Sequence, residues 1–294
     1  MNWFEVRVRP LAPFRTQWRN DTVWGRLTWA VAQGVLPGWS IQRWLQGYRE
    51  QQPPLVVGDG FPASSFPLPA AWKTLHAAEA EKPPEYITFA EFVRLASGGK
   101  PPIARGRPPA DASRLHVSLS RETNTAAEGS LRVEQAYTTH AETGETPEPI
   151  LIHTLTSQDL GQKELEALWQ HLAMEGWGKR RSVGYGAFEL IGITPAQTPQ
   201  NGDAFLTLGH CLPTPDLPRE GLWRWTGIEA IPHDPVSGLA ILPKMFTLAL
   251  RPGACFHQPP TREWTGRMLL HPLEKNQDYM KYGLAPCWPF RWPA

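Results

Sequence analysis

Prolines limit what this chain can fold into more than any other feature of its sequence. The 294 residues include 31 prolines, and a proline inside a helix removes a hydrogen bond and clashes with the preceding turn. The sequence therefore predicts many loops and few long helices. Its length fits one large domain or two compact ones that bury substantial cores. The 14 tryptophans predict either thick aromatic cores or stacking platforms.

The charge balance and the cysteines exclude several classes of protein. The formal net charge is +1, so any phosphate contact has to come from local clusters of cations. No apolar run reaches the roughly 18 residues of a membrane helix, and the first residues have no signal-peptide pattern. We therefore expect a cytoplasmic protein without membrane contact. Three widely spaced cysteines argue against a disulfide framework or a cysteine zinc site: Cys211, Cys255 and Cys287.

The first part of the chain predicts strands that alternate with helices. WFEVRVRP alternates apolar and charged residues, which is typical of a half-buried strand. NDTVWGRLTWAVAQG predicts a helix that Asp21 caps and Gly34 ends. Three further strands are predicted around Leu115, Leu131 and EPILIHTLT, followed by the clearest helix, SQDLGQKELEALWQHLAMEG, and the strand YGAFELIGI. The order β-α-(insertion)-β-β-β-α-β is close to that of a ferredoxin-like unit.

A proline- and glycine-rich segment, residues 51–72, is predicted to be a long ordered loop. It belongs to an insertion over about 49–113, and residues 194–203 look like a linker. The segments after it are strand-like. The predicted fold class is α+β with two ferredoxin-like (RRM-like) halves. The first half (1–195) carries the insertion, and the second (203–294) is degenerate and β-rich.

The segment GWGKRRSVGYGAFEL, between the clearest helix and the strand after it, has the composition of an anion-binding loop. Glycines permit positive φ, and successive backbone amides can form a nest for phosphates. Lys179, Arg180 and Arg181 add positive charge, and Ser182 adds a hydroxyl. The spacing matches neither the dinucleotide fingerprint nor the Walker loop, so no nucleotide cofactor is expected. The alternative is a structural turn with a solvated basic edge.

This glycine-rich segment resembles the glycine-rich loop of the RAMP superfamily, the RNA-binding proteins of CRISPR effectors. Other segments resemble, in order, parts of subunit four of the type III-A (Csm) effector, from about residue 4 to residue 290. The chain departs from that pattern at Asn20, Trp24, Trp29 and Ser120. The matching segments are NDTVWGRLTWA, GDGFPASSFPLP, SLSRETNTAAEGSLRVEQAY, LTLGHCLPTP and KYGLAPCWPF.

The resemblance implies a Cas5-like, non-catalytic RNA-binding subunit that holds the 5′ tag of the guide RNA (crRNA). It also implies contacts with the large Cas10-type subunit and the backbone RAMP subunit, and only indirect contact with target RNA. No catalytic residue, metal or cofactor is expected. The expected RNA-binding residues are Gly176, Trp177, Gly178, Lys179, Arg180, Arg181, Ser182, Gly184, Tyr185, Gly186, Arg121, Thr123, Asn124, Thr125, Glu128 and Thr22.

Three alternatives stay open: a RAMP endoribonuclease that processes repeat RNA, a protein-only assembly scaffold, and the equivalent cap from another type III branch. The nuclease would use a histidine as general base, but the nine histidines are scattered and none lies beside the glycine-rich segment. Trp177 looks hard to bury, so it is predicted either to stack on a base or to fill a pocket of a neighbouring protein. Trp24, Trp29, Trp44 and Trp169 are predicted to lie in the core. A protein interface, or else a small core, is predicted for Trp223, Trp225, Trp288 and Trp292.

Overall fold

The computed structural model describes residues 1–76, 83–99, 103–107, 110–117, 121–123, 125, 132–139, 147–198, 202–230, 245–272 and 278–293. Five helices lie in these ranges: α1 Asn20–Ala32, α2 Ile41–Arg49, α3 Ala70–His76, α4 Phe89–Ala96 and α5 Gln162–Glu175. The strands up to residue 195 are β1 Asn2–Pro10, β2 Leu55–Pro62, β3 Phe66–Pro67, β4 Tyr86–Ile87, β5 Ala110–His116, β6 Arg132–Thr138, β7 Ile150–Thr156 and β8 Phe188–Pro195. The later strands are β9 Ala204–Thr207, β10 Gly221–Leu222, β11 Trp225–Ala230, β12 Met245–Leu250, β13 Cys255–Phe256, β14 Trp264–Gly266, β15 Leu269–Pro272, β16 Asp278–Lys281 and β17 Leu284–Phe290.

The first half is built on a four-stranded antiparallel sheet in the order β2-β7-β1-β8. Helices α1 and α2 connect β1 to β2, and α5 connects β7 to β8, so helical connections join strands of one sheet as in a split βαβ unit. The predicted strands β1, β7 and β8 and the predicted helices α1 and α5 are present. The prediction of a loop over 51–72 is wrong, because β2 lies there and pairs with β7 along one edge of the sheet.

The strands predicted around Leu115 and Leu131 exist with shifted bounds, as β5 and β6. They pair with each other and form a separate hairpin instead of joining the four-stranded sheet. An isolated bridge between Phe14 and Tyr137 connects β6 to the segment that follows β1. The hairpin therefore lies against residues that lead into helix α1.

The second half contains a five-stranded sheet in the order β10-β13-β9-β17-β14, and small two-stranded sheets pack around it. Every element that the structure describes after residue 195 is a strand. The α+β class is confirmed, whereas a ferredoxin-like second half and the boundary near residue 200 stay predictions.

Strand β2 joins the two halves through backbone contacts. The Tyr282 hydroxyl lies 2.9 Å from the Val57 backbone nitrogen, which donates to it. The Asp59 nitrogen donates to the Leu208 carbonyl oxygen at 2.9 Å. Leu151 of β7 shares one hydrophobic cluster with Trp288 of β17. The halves thus share a core, and a cleft opens between their surfaces.

Trp24, Trp44 and Trp169 are buried, as predicted. Trp29 is 37% exposed, so its prediction as a core residue is wrong. The capping prediction for Asp21 is also wrong. The residue at the cap position is Arg19, and Asp21 lies inside the first turn. Gly34 does follow the helix end, with φ +80°.

The four later tryptophans divide between core and surface. Trp288 is buried in the shared core, and Trp223 stacks on Phe256 with ring centroids 5.6 Å apart. An interface role is therefore wrong for Trp288, whereas it stays a prediction for Trp225, which is 52% exposed. All three cysteines are buried and free. None of the described helices has both the length and the apolar character needed to cross a membrane.

Candidate nucleic-acid interface

The glycine loop, residues 176–186, connects α5 to β8 and is anchored to the segment after β1. Gly186, which has φ +71°, donates its backbone N–H to the Pro13 carbonyl oxygen at 2.9 Å. A Cβ there would lie 1.9 Å from the Trp177 carbonyl oxygen. At Gly178, φ is +72° and a Cβ would lie 2.6 Å from the Thr16 side chain. Glycine is thus required by local packing at both positions.

Trp177 is fully buried, so the prediction that it is hard to bury is wrong. Its indole stacks on Trp18 with ring centroids 4.1 Å apart and an angle of 6° between the planes. The Trp177 Nε1–H donates to the Thr16 carbonyl oxygen at 2.7 Å. Tyr185 is buried as well. These two aromatic side chains anchor the loop, and in this conformation neither presents a free face to a base.

Two of the three consecutive cations already have carboxylate partners. The Arg180 guanidinium lies 2.9 Å from Oε1 of Glu134, a buried residue of β6 whose other oxygen lies 3.1 Å from Nη1 of Arg15. Arg181 donates to the Glu175 carbonyl oxygen at 3.0 Å and lies 3.6 Å from the Glu175 carboxylate. The ion pairs of these two arginines therefore hold the loop against β6 and α5, and they partly neutralise its positive charge.

Lys179 and Ser182 are the exposed polar side chains of the loop that remain available to a ligand. Among the described residues, the Lys179 ammonium has no carboxylate partner, while its backbone N–H donates to Oγ1 of Thr16 at 3.1 Å. Seven amides of the loop are bonded within the chain, at residues 176, 177, 179 and 183–186. The amides of Gly178, Arg180, Arg181 and Ser182 have no acceptor in the described part of the chain. This leaves a smaller anion site than the sequence predicts.

The polar segment after β5 is only partly described. Arg121, Thr123 and Thr125 are exposed, and the hydroxyls of the two threonines lie 2.8 Å apart. Asn124 and Glu128 lie outside the described residues. The hairpin reaches the glycine loop through the Glu134–Arg180 pair. Thr22 is half-buried, and its hydroxyl and amide both donate to Asp21 Oδ1.

A cleft of about 700 Å³, the interhalf cleft, is a feature that the sequence patterns do not indicate. It takes residues from both halves, among them Lys73 of α3, Arg224 beside β11 and Arg251 after β12. Burial lowers the pKa of Lys73, and the positive charges of Arg224 and Arg251 lower it further. No local signal could reveal this cluster, because its members come from three distant segments.

An aspartate–histidine pair also lines the interhalf cleft. Asp59 Oδ2 lies 2.6 Å from Nδ1 of His210, and Asp59 Oδ1 accepts from the Asn20 backbone N–H at 2.9 Å. Asp59 is buried. Its carboxylate therefore ties β2 to the start of α1 and to the turn after β9, and it holds the His210 ring in place. The part of the chain that the structure describes contains no cluster of three potential metal ligands.

Solved structures share this architecture over its full length. A Csm1-Csm4 cassette in complex with pppApA superposes with a TM-score of 0.62 at 15% sequence identity, covering 100% of this chain and 99% of the matched chain. A Csm1-Csm4 cassette with AMPPNP gives 0.61 at 15% identity and full coverage of both chains. A Csm3-Csm4 subcomplex of the type III-A CRISPR-Cas interference complex gives 0.56 at 13% identity, covering 99% of each. Csm4 is the subunit common to these complexes.

The chain has the fold of Csm4. The resemblance of the sequence to subunit four of the type III-A effector is thereby confirmed at the level of the fold. No protein-family model matches the chain, and no curated protein sequence matches it either. The likeness to Csm4 is therefore carried by the three-dimensional structure and by short motifs.

Proposed function

We propose that this chain is a non-catalytic RNA-binding subunit of a type III CRISPR-Cas effector complex, which holds the 5′ tag of the crRNA. The observation that carries the proposal is the full-length fold of Csm4 together with a solvent-facing glycine loop. In that loop the side chains of Lys179 and Ser182 and four backbone amides have no partner among the described residues. Phosphate oxygens are the acceptors that such donors favour.

The proposed protein partners follow from the complexes in which the similar fold occurs. Those complexes pair Csm4 with Csm1 and with Csm3. We infer that this chain docks a large Cas10-type subunit through one surface and a backbone RAMP subunit through another. Target RNA is then reached through the partners and the paired guide, without direct contacts from this chain.

The proposal is tested by UV crosslinking of this subunit, purified with its native partners, followed by RNA sequencing and peptide mapping. Crosslinks are expected at the 5′ end of a common guide RNA, on peptides spanning residues 121–128 and 176–186. Crosslinks in the middle or at the 3′ end of the guide would remove the capping role and keep RNA binding. An absence of RNA crosslinks would favour a protein-only scaffold.

A more specific test of the proposed function uses a variant that leaves the packing of the loop intact. Lys179→Gln with Ser182→Ala removes the two side-chain donors that have no partner among the described residues, without touching Arg180 or Arg181. Guide retention at elevated salt should fall in this variant. Lys163→Gln, at an exposed position of α5, is the matched control and should retain the guide. Cleavage of repeat RNA by the purified subunit would instead support the endoribonuclease alternative.

A further inference from the structure

The interhalf cleft contains three cations that form no ion pair with any of the described residues. Within the described residues, Lys73, Arg224 and Arg251 have no carboxylate within ion-pair distance. Arg251 donates its backbone N–H to the Arg224 carbonyl oxygen at 2.9 Å, so the two arginines are held on adjoining backbone segments. Holding three like charges together costs free energy, and a bound anion offsets that cost.

The other charges in the cleft leave this cluster positive. Asp59 pairs with His210, and Arg19 pairs with Asp21. Asp111 and Glu85 also line the cleft, and Glu85 weakly opposes the lowering of the Lys73 pKa. Among the described residues, Glu85 is the only carboxylate that acts on the Lys73 pKa, and its influence is smaller than that of Arg224 and Arg251.

Aromatic side chains line the same cleft. The cleft therefore offers stacking surfaces as well as positive charge, whereas a simple anion site offers charge alone. Phe61, Tyr86 and Tyr137 are half-buried there. Aromatic faces next to a positive groove are the usual arrangement for single-stranded nucleic acid, in which bases stack and cations follow the backbone. An acidic protein segment would use the cations without needing these rings.

The interhalf cleft and the glycine loop meet at one short segment of chain. Thr16 binds the loop through Trp177 and Lys179, while Gln17, Trp18 and Arg19 line the cleft. The loop and the cleft are therefore linked by residues 16–19, of which Gln17 is exposed.

We propose that the interhalf cleft is a second RNA-binding site, in which Lys73, Arg224 and Arg251 contact phosphodiesters and the aromatic side chains stack on unpaired bases. The ligand class is single-stranded RNA, without a requirement for a terminal phosphate. This inference rests on the proposed RNA-binding function and adds a location that the glycine loop does not include.

The test measures binding of the full-length chain, alone and with its co-purified partners, to a labelled single-stranded RNA of roughly 12 nucleotides. Affinity is measured over a range of salt concentrations. The cleft variant carries Lys73→Gln, Arg224→Gln and Arg251→Gln. The control variant removes one lysine and two arginines at exposed positions elsewhere, through Lys163→Gln, Arg219→Gln and Arg267→Gln.

Each lost phosphate contact lowers the slope of log affinity against log salt by about 0.7, so the cleft variant should lose about 2 in slope. The control should keep a slope close to that of the parent chain. UV crosslinks on peptides containing Tyr86 and Tyr137 should appear in the parent and weaken in the cleft variant.

Three results would overturn the proposal, and they can be told apart. If the parent binds RNA and the cleft variant keeps its slope and crosslinks, the cleft site is wrong and RNA binding elsewhere stands. If neither the chain alone nor its complex binds RNA, the proposed function fails with it. If the cleft variant loses binding to a polyglutamate peptide but keeps RNA binding, the cleft receives an acidic protein segment.

Discussion

The glycine loop and the interhalf cleft each gather three cations, and they differ in what balances the charge. In the loop, Arg180 and Arg181 face Glu134 and Glu175, and only Lys179 has no carboxylate partner among the described residues. In the cleft, Lys73, Arg224 and Arg251 all lack such a partner within the described ranges. Basic residues that are adjacent in sequence thus serve structure, whereas residues from distant segments form the less neutralised cluster.

The two groups of cations are expected to affect the stability of the folded chain differently. Paired, partly buried arginines stabilise the loop, so their replacement should cost stability. Clustered cations without partners destabilise the free chain slightly and favour an anionic ligand. The comparison therefore predicts large stability effects at the loop, and small stability effects with large ligand effects at the cleft.

The largest effect is expected from Trp177→Ala. The substitution removes a fully buried indole that stacks on Trp18, and removal of a large buried aromatic side chain costs about 3–5 kcal/mol of unfolding free energy. Urea unfolding monitored by circular dichroism would measure this loss. Trp225→Ala, at a residue that is 52% exposed, is the control and should change stability by less than about 0.5 kcal/mol. Equal effects at the two positions would contradict the anchored loop.

The second-largest loss of stability is expected from Gly186→Ala. The backbone there has φ +71°, and a Cβ would lie 1.9 Å from the Trp177 carbonyl oxygen. Strain at such a position costs about 1–3 kcal/mol, and the steric contact adds to it. Thermal unfolding would detect the shift. Gly192→Ala in β8 has no heavy atom within 4 Å of its Cβ and should be tolerated. An unchanged melting temperature in Gly186→Ala would show that the loop backbone adjusts freely.

Glu134→Gln tests the pairing itself. Glu134 is buried between Arg15 and Arg180, which are partly exposed, so solvent screening limits the expected loss of stability to about 1–2 kcal/mol. The change also releases Arg180 from its carboxylate. RNA affinity should then rise, with a salt slope steeper by about 0.7. Glu122→Gln, at an exposed position, should change neither quantity. A weaker affinity for RNA in Glu134→Gln would mean that Arg180 needs Glu134 in order to contact RNA.

The smallest stability effect belongs to the cleft. Lys73→Gln with Arg251→Gln relieves like-charge repulsion, so stability should stay the same or rise by up to about 0.5 kcal/mol. Chemical denaturation of the ligand-free chain would show this. A loss of more than about 1 kcal/mol would indicate that these side chains hold the cleft together, and it would remove the contrast with the loop.

Patterns in the sequence predicted the elements whose apolar residues recur with a regular period. Strand β1, helices α1 and α5 and the position of the glycine loop follow from such patterns, and the resemblance to the Csm effector subunit followed from short motifs in order. Strand β2 was not predicted, because Gly58 and Gly60 interrupt its apolar run. At Gly58 a Cβ would lie 2.8 Å from the Leu208 carbonyl oxygen, so the glycine is required by the second half of the protein.

The sequence by itself determined that a glycine-rich, basic loop follows the longest amphipathic helix, because glycine content and helical periodicity are local properties. Only the tertiary structure decided that Trp177 is buried against Trp18, that Glu134 neutralises Arg180, and that Lys73, Arg224 and Arg251 share a cleft. Burial and charge pairing depend on which distant segments lie within a few ångströms of each other. That arrangement is set by how the two halves pack across β2 and β17, and no pattern within a single segment contains it.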